Sequence, residues 1–196
     1  MDPHQHATRI GTAARLLTNV LNPFFVFTAL YVLVAFSETN TVPQAVLFVG
    51  AELAAAAFVA GYVSLLQRRR RVGDFWISAR AERLAPALVL LAAFAALLGA
   101  LALLGAPEAL FLTTLSMGLG AAAVASLTSL WKASAHSAVA GHAATAGLLI
   151  LGPLGLIFVP VLPAVLWSRV ASEAHTLAQV LAGAGAGAAF ALLFLA

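Results

Sequence analysis

The residues of this chain best suited to chemistry stand where long apolar runs are interrupted. In Trp167-Ser168-Arg169-Val170-Ala171-Ser172-Glu173-Ala174-His175 an arginine and a histidine lie six residues apart, just as apolar sequence resumes. A guanidinium can hold two phosphoryl oxygens in a bidentate fork that lysine cannot reproduce, and an imidazole can attack phosphorus. Gln179 follows His175 by four residues. On a helix the two would share a face, so the amide oxygen could accept a hydrogen bond from one ring nitrogen while the other acts as nucleophile. The structural alternative is an Arg169 to Glu173 ion pair at i,i+4 spacing, with His175 hydrogen-bonded inside a bundle.

Two clusters upstream offer complementary groups. Lys132-Ala133-Ser134-Ala135-His136-Ser137 stands at the start of an apolar segment whose first turn would present free N–H groups to an anion. Lys132 supplies charge, Ser134 a hydroxyl and His136 a proton for a departing alkoxide. The plainer reading is a capping serine, a snorkelling lysine and a packed histidine. The stretch from Asp74 to Pro86 is too polar to span a membrane, and its Phe75 and Trp76 suit a membrane surface, so an interfacial helix or hairpin is expected near 67–85. On such a helix Arg83 would sit beside Arg80 at i+3, and two neighbouring guanidiniums invite an anion. Alternatively both arginines pair with Asp74 and Glu82 and contact lipid phosphates.

The elements that must position these groups follow from composition. With 63% hydrophobic and 9% charged residues in 196, the chain cannot hide its apolar surface within a water-soluble globule. It reads as an all-α integral membrane protein, a polytopic bundle of six to seven transmembrane helices in a single domain spanning 1–196, because hydrocarbon leaves helices and closed barrels as the spanning options and period-2 patterning is absent. Candidate spans run over about 17–36, 44–66, 86–104, 109–130, 134–152, 154–168 and 174–195. The sixth is short and carries Pro160 and Pro163, so it is expected to be kinked, tilted or re-entrant. A polar N-terminus without a short apolar run and cleavage site predicts no removable signal peptide. The absence of cysteine excludes disulfides, thiolate metal sites and cysteine nucleophiles.

Alternation of spans puts the breaks near 67–85, 131–133 and 169–173 on the same side as the N-terminus. Arg9, Arg15, Arg68 to Arg71, Arg80, Arg83, Lys132 and Arg169 all fall on that side, whereas the opposite connections carry Glu38 and Glu108. The positive-inside bias therefore predicts a protein of the cell (plasma or inner) membrane with its N-terminus and polar clusters cytoplasmic. The Arg68 to Arg71 run reads as an anchor to anionic lipid heads in preference to a nucleic-acid contact.

Taken in order, the three clusters resemble the type 2 phosphatidic acid phosphatase family, whose signature is a basic stretch ending in Arg-Pro, then Pro-Ser-Gly-His, then Ser-Arg-x5-His-x3-Asp. The best match is Ser168-Arg169, five residues, His175, three residues, Gln179; Ser134-Ala135-His136 matches the second element and Arg83-Leu84-Ala85-Pro86 approximates the first. The resemblance implies that His175 forms a phosphohistidine, that His136 protonates the leaving group, and that Arg80, Arg83, Lys132, Ser134 and Arg169 bind phosphate. It implies no metal or cofactor. The substrate would be a lipid phosphate, a prenyl pyrophosphate or a phosphatidate-like lipid reached from the cytoplasmic leaflet. Gln179 stands where the family carries aspartate, and a neutral amide can orient His175 without stabilising a positive imidazole by charge. A protein that binds a lipid headgroup without turning it over is the alternative this substitution motivates.

Other signals are weaker. Glu52 lies roughly 12 Å into the second segment and, at about 3 kcal/mol if ionised at the bilayer centre, is expected protonated or facing the bundle. His142 is six residues after His136, on a different helix face, which argues against a two-histidine metal site and for a packed interior polar group. Gly183-x3-Gly187 favours close helix contact, inside the bundle or between subunits of a homo-oligomer. No aspartate-rich motif for metal and diphosphate is visible, which weighs against a prenyltransferase, nor is a Walker loop; a small transporter or assembly protein is the remaining rival, and no internal repeat marks it.

Overall fold

The computed structural model describes the backbone of residues 3–75, 77, 79 and 82–196, with side chains for all of these except 3–10, 129 and 130. Every regular element among the described residues is helical: α1 (Pro3–Val20), α2 (Pro23–Glu38), α3 (Val42–Arg68), α4 (Leu84–Leu103), α5 (Glu108–Leu130), α6 (Ala135–Leu151), a 3₁₀ helix (Gly152–Phe158), α7 (Val161–Ala171) and α8 (Leu177–Leu195). Five helices are long and apolar enough to cross a membrane, or six if the bent α1–α2 pair is one span. The chain is a multi-pass helical membrane protein.

The expected first span, 17–36, is interrupted. Asn22 caps α2 by accepting from the Phe25 N–H at 3.1 Å while its amide donates to the Asn19 carbonyl at 2.7 Å, and Pro23 cannot continue an incoming helix. The chain bends by 41° there, and the polar residues before it are helical rather than a loop. The expected sixth span is corrected too. Gly152, at φ +56, ends α6 in a conformation that only glycine adopts readily. The 3₁₀ helix then folds back on α6 so closely that a methyl group on Gly155 would overlap the Gly147 backbone. At 11 residues, α7 rises about 16 Å, too short to cross a hydrocarbon core of about 30 Å by itself.

Contacts between distant segments gather the polar breaks at one end, as alternation of the spans predicts. Thr18 Oγ1 donates to Ser168 Oγ at 3.2 Å, tying α1 to α7. Ser134 N–H donates to the Gln179 carbonyl at 3.3 Å, and Lys132 Nζ to the Ala174 carbonyl at 2.9 Å. Phe75 stacks on Phe24 with ring centroids 6.3 Å apart. Connections 69–83, 131–134 and 172–176 therefore share an end with the α1–α2 junction.

The central element is α6, which packs on α8, α2, α5, α7 and the 3₁₀ helix. Its contact with α8 is made backbone to backbone. A methyl on Gly183 would overlap the Ser134 carbonyl oxygen, one on Gly187 the Ala138 oxygen, and one on Gly141 the Ala184 oxygen. The Gly183-x3-Gly187 pattern thus works within the bundle. Gly187→Val should cost on the order of 1–3 kcal/mol or prevent folding, whereas Gly185→Ala, whose added methyl meets nothing within 4 Å, should leave the melting temperature unchanged or slightly raised. Thermal unfolding of the detergent-solubilised variants checks the pair.

Candidate functional site

A cavity of about 1070 Å³ opens between α2, the α3–α4 pair, α5 and α6. Arg83, His136, Arg169 and His175 are among its lining residues; the rest of the wall is largely apolar, with Phe24, Phe27, Val59, Leu91, Phe94 and Leu97. Four of the residues singled out from sequence therefore line one cavity, although they come from three separate stretches of chain.

The turn after α7 brings Arg169 and His175 together. Glu173 takes φ +57, the left-handed residue that follows a helix end. The chain then folds back so that the Ala174 and His175 N–H groups both donate to the Arg169 carbonyl, each at 3.2 Å. Six residues of separation become direct adjacency. Glu173 is exposed at this turn, and the i,i+4 ion pair with Arg169 is not formed. The carboxylate whose charge Arg169 feels is Asp74 of the 69–83 connection. Arg169 Nε is buried without a hydrogen-bond partner among the described residues.

His175 precedes the N-cap of α8, so it does not share a helix face with Gln179 as its spacing predicts. Thr176 is the cap: it accepts from the Gln179 N–H at 3.4 Å, and Gln179 Oε1 accepts from the Thr176 N–H at 3.1 Å, a reciprocal capping box. The Gln179 side chain, held in this capping box, lies near enough to His175 to influence its imidazole. Burial, then the charges of Arg169 and Lys132, lower the His175 pKa to about 4, against the acceptor oxygens of the Gln179 side chain and the Lys132 backbone, which act to raise it. His175 Nδ1 is buried and has no hydrogen-bond partner among the described residues.

Lys132, also expected to bind phosphate, does not line the cavity; its ammonium is fastened to the Ala174 carbonyl next to His175. His136 stands in the first turn of α6, buried, within range of the charges on Arg169 and His175. Ser134 is placed differently from the phosphate-binding role its spacing suggests. It is fully buried, caps α6 by accepting from the Ser137 N–H at 3.3 Å and from Ser137 Oγ at 3.0 Å, and does not line the cavity. The helix end needs its oxygen, so the capping alternative is the one realised.

Where an interfacial helix or hairpin is expected near 67–85, the described residues of the 69–83 connection do not form a continuous helix. They form turns and bends, with Glu82 in a 3₁₀ turn. Ile77 adopts φ +52, a costly choice for a β-branched residue. The Arg83 Nε donates to the Ile77 carbonyl at 2.9 Å and Glu82 Oε2 accepts from the Gly73 N–H at 2.9 Å, so the stretch is held by its own charged side chains. The position expected for Arg80 lies outside the described residues. Phe75, Ile77 and Arg83 all line the cavity.

Two polar groups expected to face the interior do so and also reach the cavity wall. His142 Nε2 lies 2.8 Å from Ser116 Oγ, and Glu52 Oε1 accepts from Thr28 Oγ1 at 2.8 Å. Tyr31, three residues after Thr28 and fully buried near Glu52, was not evident from sequence; its helical spacing from Thr28 was the available signal. Among the described residues no three histidine or acidic side chains converge as metal ligands. No family model, curated protein or solved structure matches this chain.

The low His175 pKa has a definite sign. The folded protein keeps the imidazole neutral down to about pH 4, while the unfolded chain takes up that proton near pH 6.5. The stability involved is present above pH 6.5 and lost as pH falls towards 4. Histidine-selective NMR, assigned with His175→Asn, should find this ring neutral at pH 6; a midpoint near 6.5 would contradict the burial argument.

Proposed function

We propose that this protein is a membrane lipid phosphatase or pyrophosphatase that hydrolyses a prenyl pyrophosphate or a phospholipid phosphomonoester through a phosphohistidine at His175. One observation carries the reading: Arg83, His136, Arg169 and His175 share a single cavity whose remaining wall is largely apolar. That combination fits an amphiphile whose charged end meets guanidinium and imidazole groups while its tail stays in hydrocarbon. The sequence resemblance to the type 2 phosphatidic acid phosphatases points the same way.

In the proposed reaction Arg169, Arg83 and Lys132 hold the phosphoryl oxygens and neutralise the charge that develops on them, so no metal is required. The neutral His175 has a lone pair available at pH 7. It forms a nitrogen–phosphorus bond as the bond from phosphorus to the lipid or pyrophosphate oxygen breaks. His136 gives the leaving oxygen its proton; the bound anion favours the protonated imidazole that this step consumes. Water then attacks phosphorus, its proton returns to His136, and inorganic phosphate departs as His175 is regenerated. The positive-inside bias puts this pocket on the cytoplasmic side, where such lipids can enter laterally.

A second reading, a protein that binds a lipid phosphate without turnover, has one observation in its favour. The Gln179 oxygen is engaged by the Thr176 N–H, and among the described residues no carboxylate acts on His175. Phosphate release from a prenyl pyrophosphate and a phosphatidate, measured with purified protein in excess chelator, separates the two. The expected result is release that His175→Ala abolishes and Arg169→Lys lowers by about a hundredfold. Binding without release would favour the second reading.

A further inference from the structure

The cavity contains a polar station well away from its basic end. Glu52 is buried in the wall, Oε1 is committed to Thr28, and neither Oε2 nor the hydroxyl of the nearby Tyr31 has a hydrogen-bond partner among the described residues. Thr28 lies ten residues along α1–α2 from Thr18, and Thr18 touches Ser168, the neighbour of Arg169. Ten residues of helix rise roughly 15 Å, less slightly for the bend. His142, another lining residue, also has a buried atom without a partner among the described residues, Nδ1. A tail of pure hydrocarbon would leave these atoms buried and unsatisfied, which native interiors avoid.

We infer that Glu52 forms a second subsite, which receives a hydroxyl group carried on the tail of the phosphorylated amphiphile. A hydroxyl both donates and accepts, so it completes the carboxyl group whether that group is ionised or protonated; a carbonyl or an ammonium could serve only one of those states. The separation of the two poles sets the length of the ligand, with phosphate against Arg169 and His175 and the hydroxyl roughly 15 Å away. Glu52 is then a specificity-determining residue. The inference rests on the reading of the cavity as an amphiphile site and not on turnover.

Dodecyl phosphate and its ω-hydroxy derivative are suitable probes, titrated against the full chain in nanodiscs while phosphate release is followed in parallel. The hydroxylated compound should bind about tenfold more tightly to the wild type. Glu52→Gln should retain most of that preference, Glu52→Leu should erase it, and His175→Ala should keep it. Equal affinities in the wild type, or a preference that survives Glu52→Leu, would overturn the subsite; if Glu52→Leu does not fold, the wild-type comparison decides. A preference without phosphate release would leave the subsite standing and remove the phosphatase reading. Release from both compounds with equal affinities would do the reverse, and failure to bind either would remove both.

Discussion

The close approach of α6 and α8 is the constraint on which the site depends. Because Gly141, Gly183 and Gly187 carry no side chain, the two backbones meet over several turns, and the Ser134 N–H reaches the Gln179 carbonyl across the end of the contact. That single register decides that the start of α6, with His136, and the start of α8, with His175 just before it, lie side by side. Ordinary side chains at these positions would set the helices apart and separate the two histidines by a comparable distance. In a bilayer, where lipid tails are as apolar as leucine, close packing of small residues supplies much of the association that hydrophobic burial supplies in water.

On that platform the charged groups are placed by backbone geometry more than by ion pairs. The left-handed residue Glu173 folds the chain back so that Arg169 accepts from two successive N–H groups, and Lys132 is held by the Ala174 carbonyl in the same turn. Two cations and an imidazole are thus fixed within one small volume, with Asp74 the carboxylate whose charge Arg169 feels. Such a concentration of positive charge near a membrane boundary is unfavourable without an anion, and it lowers the His175 pKa together with burial. The proposed reaction uses both consequences, a neutral nucleophile and an excess of donors for phosphoryl oxygens.

The cavity extends this basic end into an apolar interior, and its shape follows from how loosely the α3–α4 pair is attached to the rest. Those helices pack on each other and touch the remainder of the bundle only through α2 and α5 among the principal contacts. Space is left between them and α6, and the 69–83 connection that joins them contributes Phe75, Ile77 and Arg83 to the lining. The same helices deliver Glu52 to the wall. The proposed lipid phosphate would set its charged group against the basic residues of this volume and its tail against the apolar wall.

The sequence by itself determined the helical membrane fold, the small-residue contact in the last helix and the grouping of polar breaks at one end. Those properties depend on local composition, run length and alternation, which hydrocarbon enforces strictly. It also marked Arg83, His136, Arg169 and His175, because such groups are costly at a membrane boundary. Only the tertiary structure decided that the four share a cavity, that Ser134 is consumed as a cap, that Glu173 turns away and that His175 precedes α8 instead of lying on it. Helical periodicity carries a pattern forward only while the helix lasts. At a capping turn the next side chain is aimed by backbone hydrogen bonds to residues far along the chain, and these exist only once α6, α7 and α8 have packed.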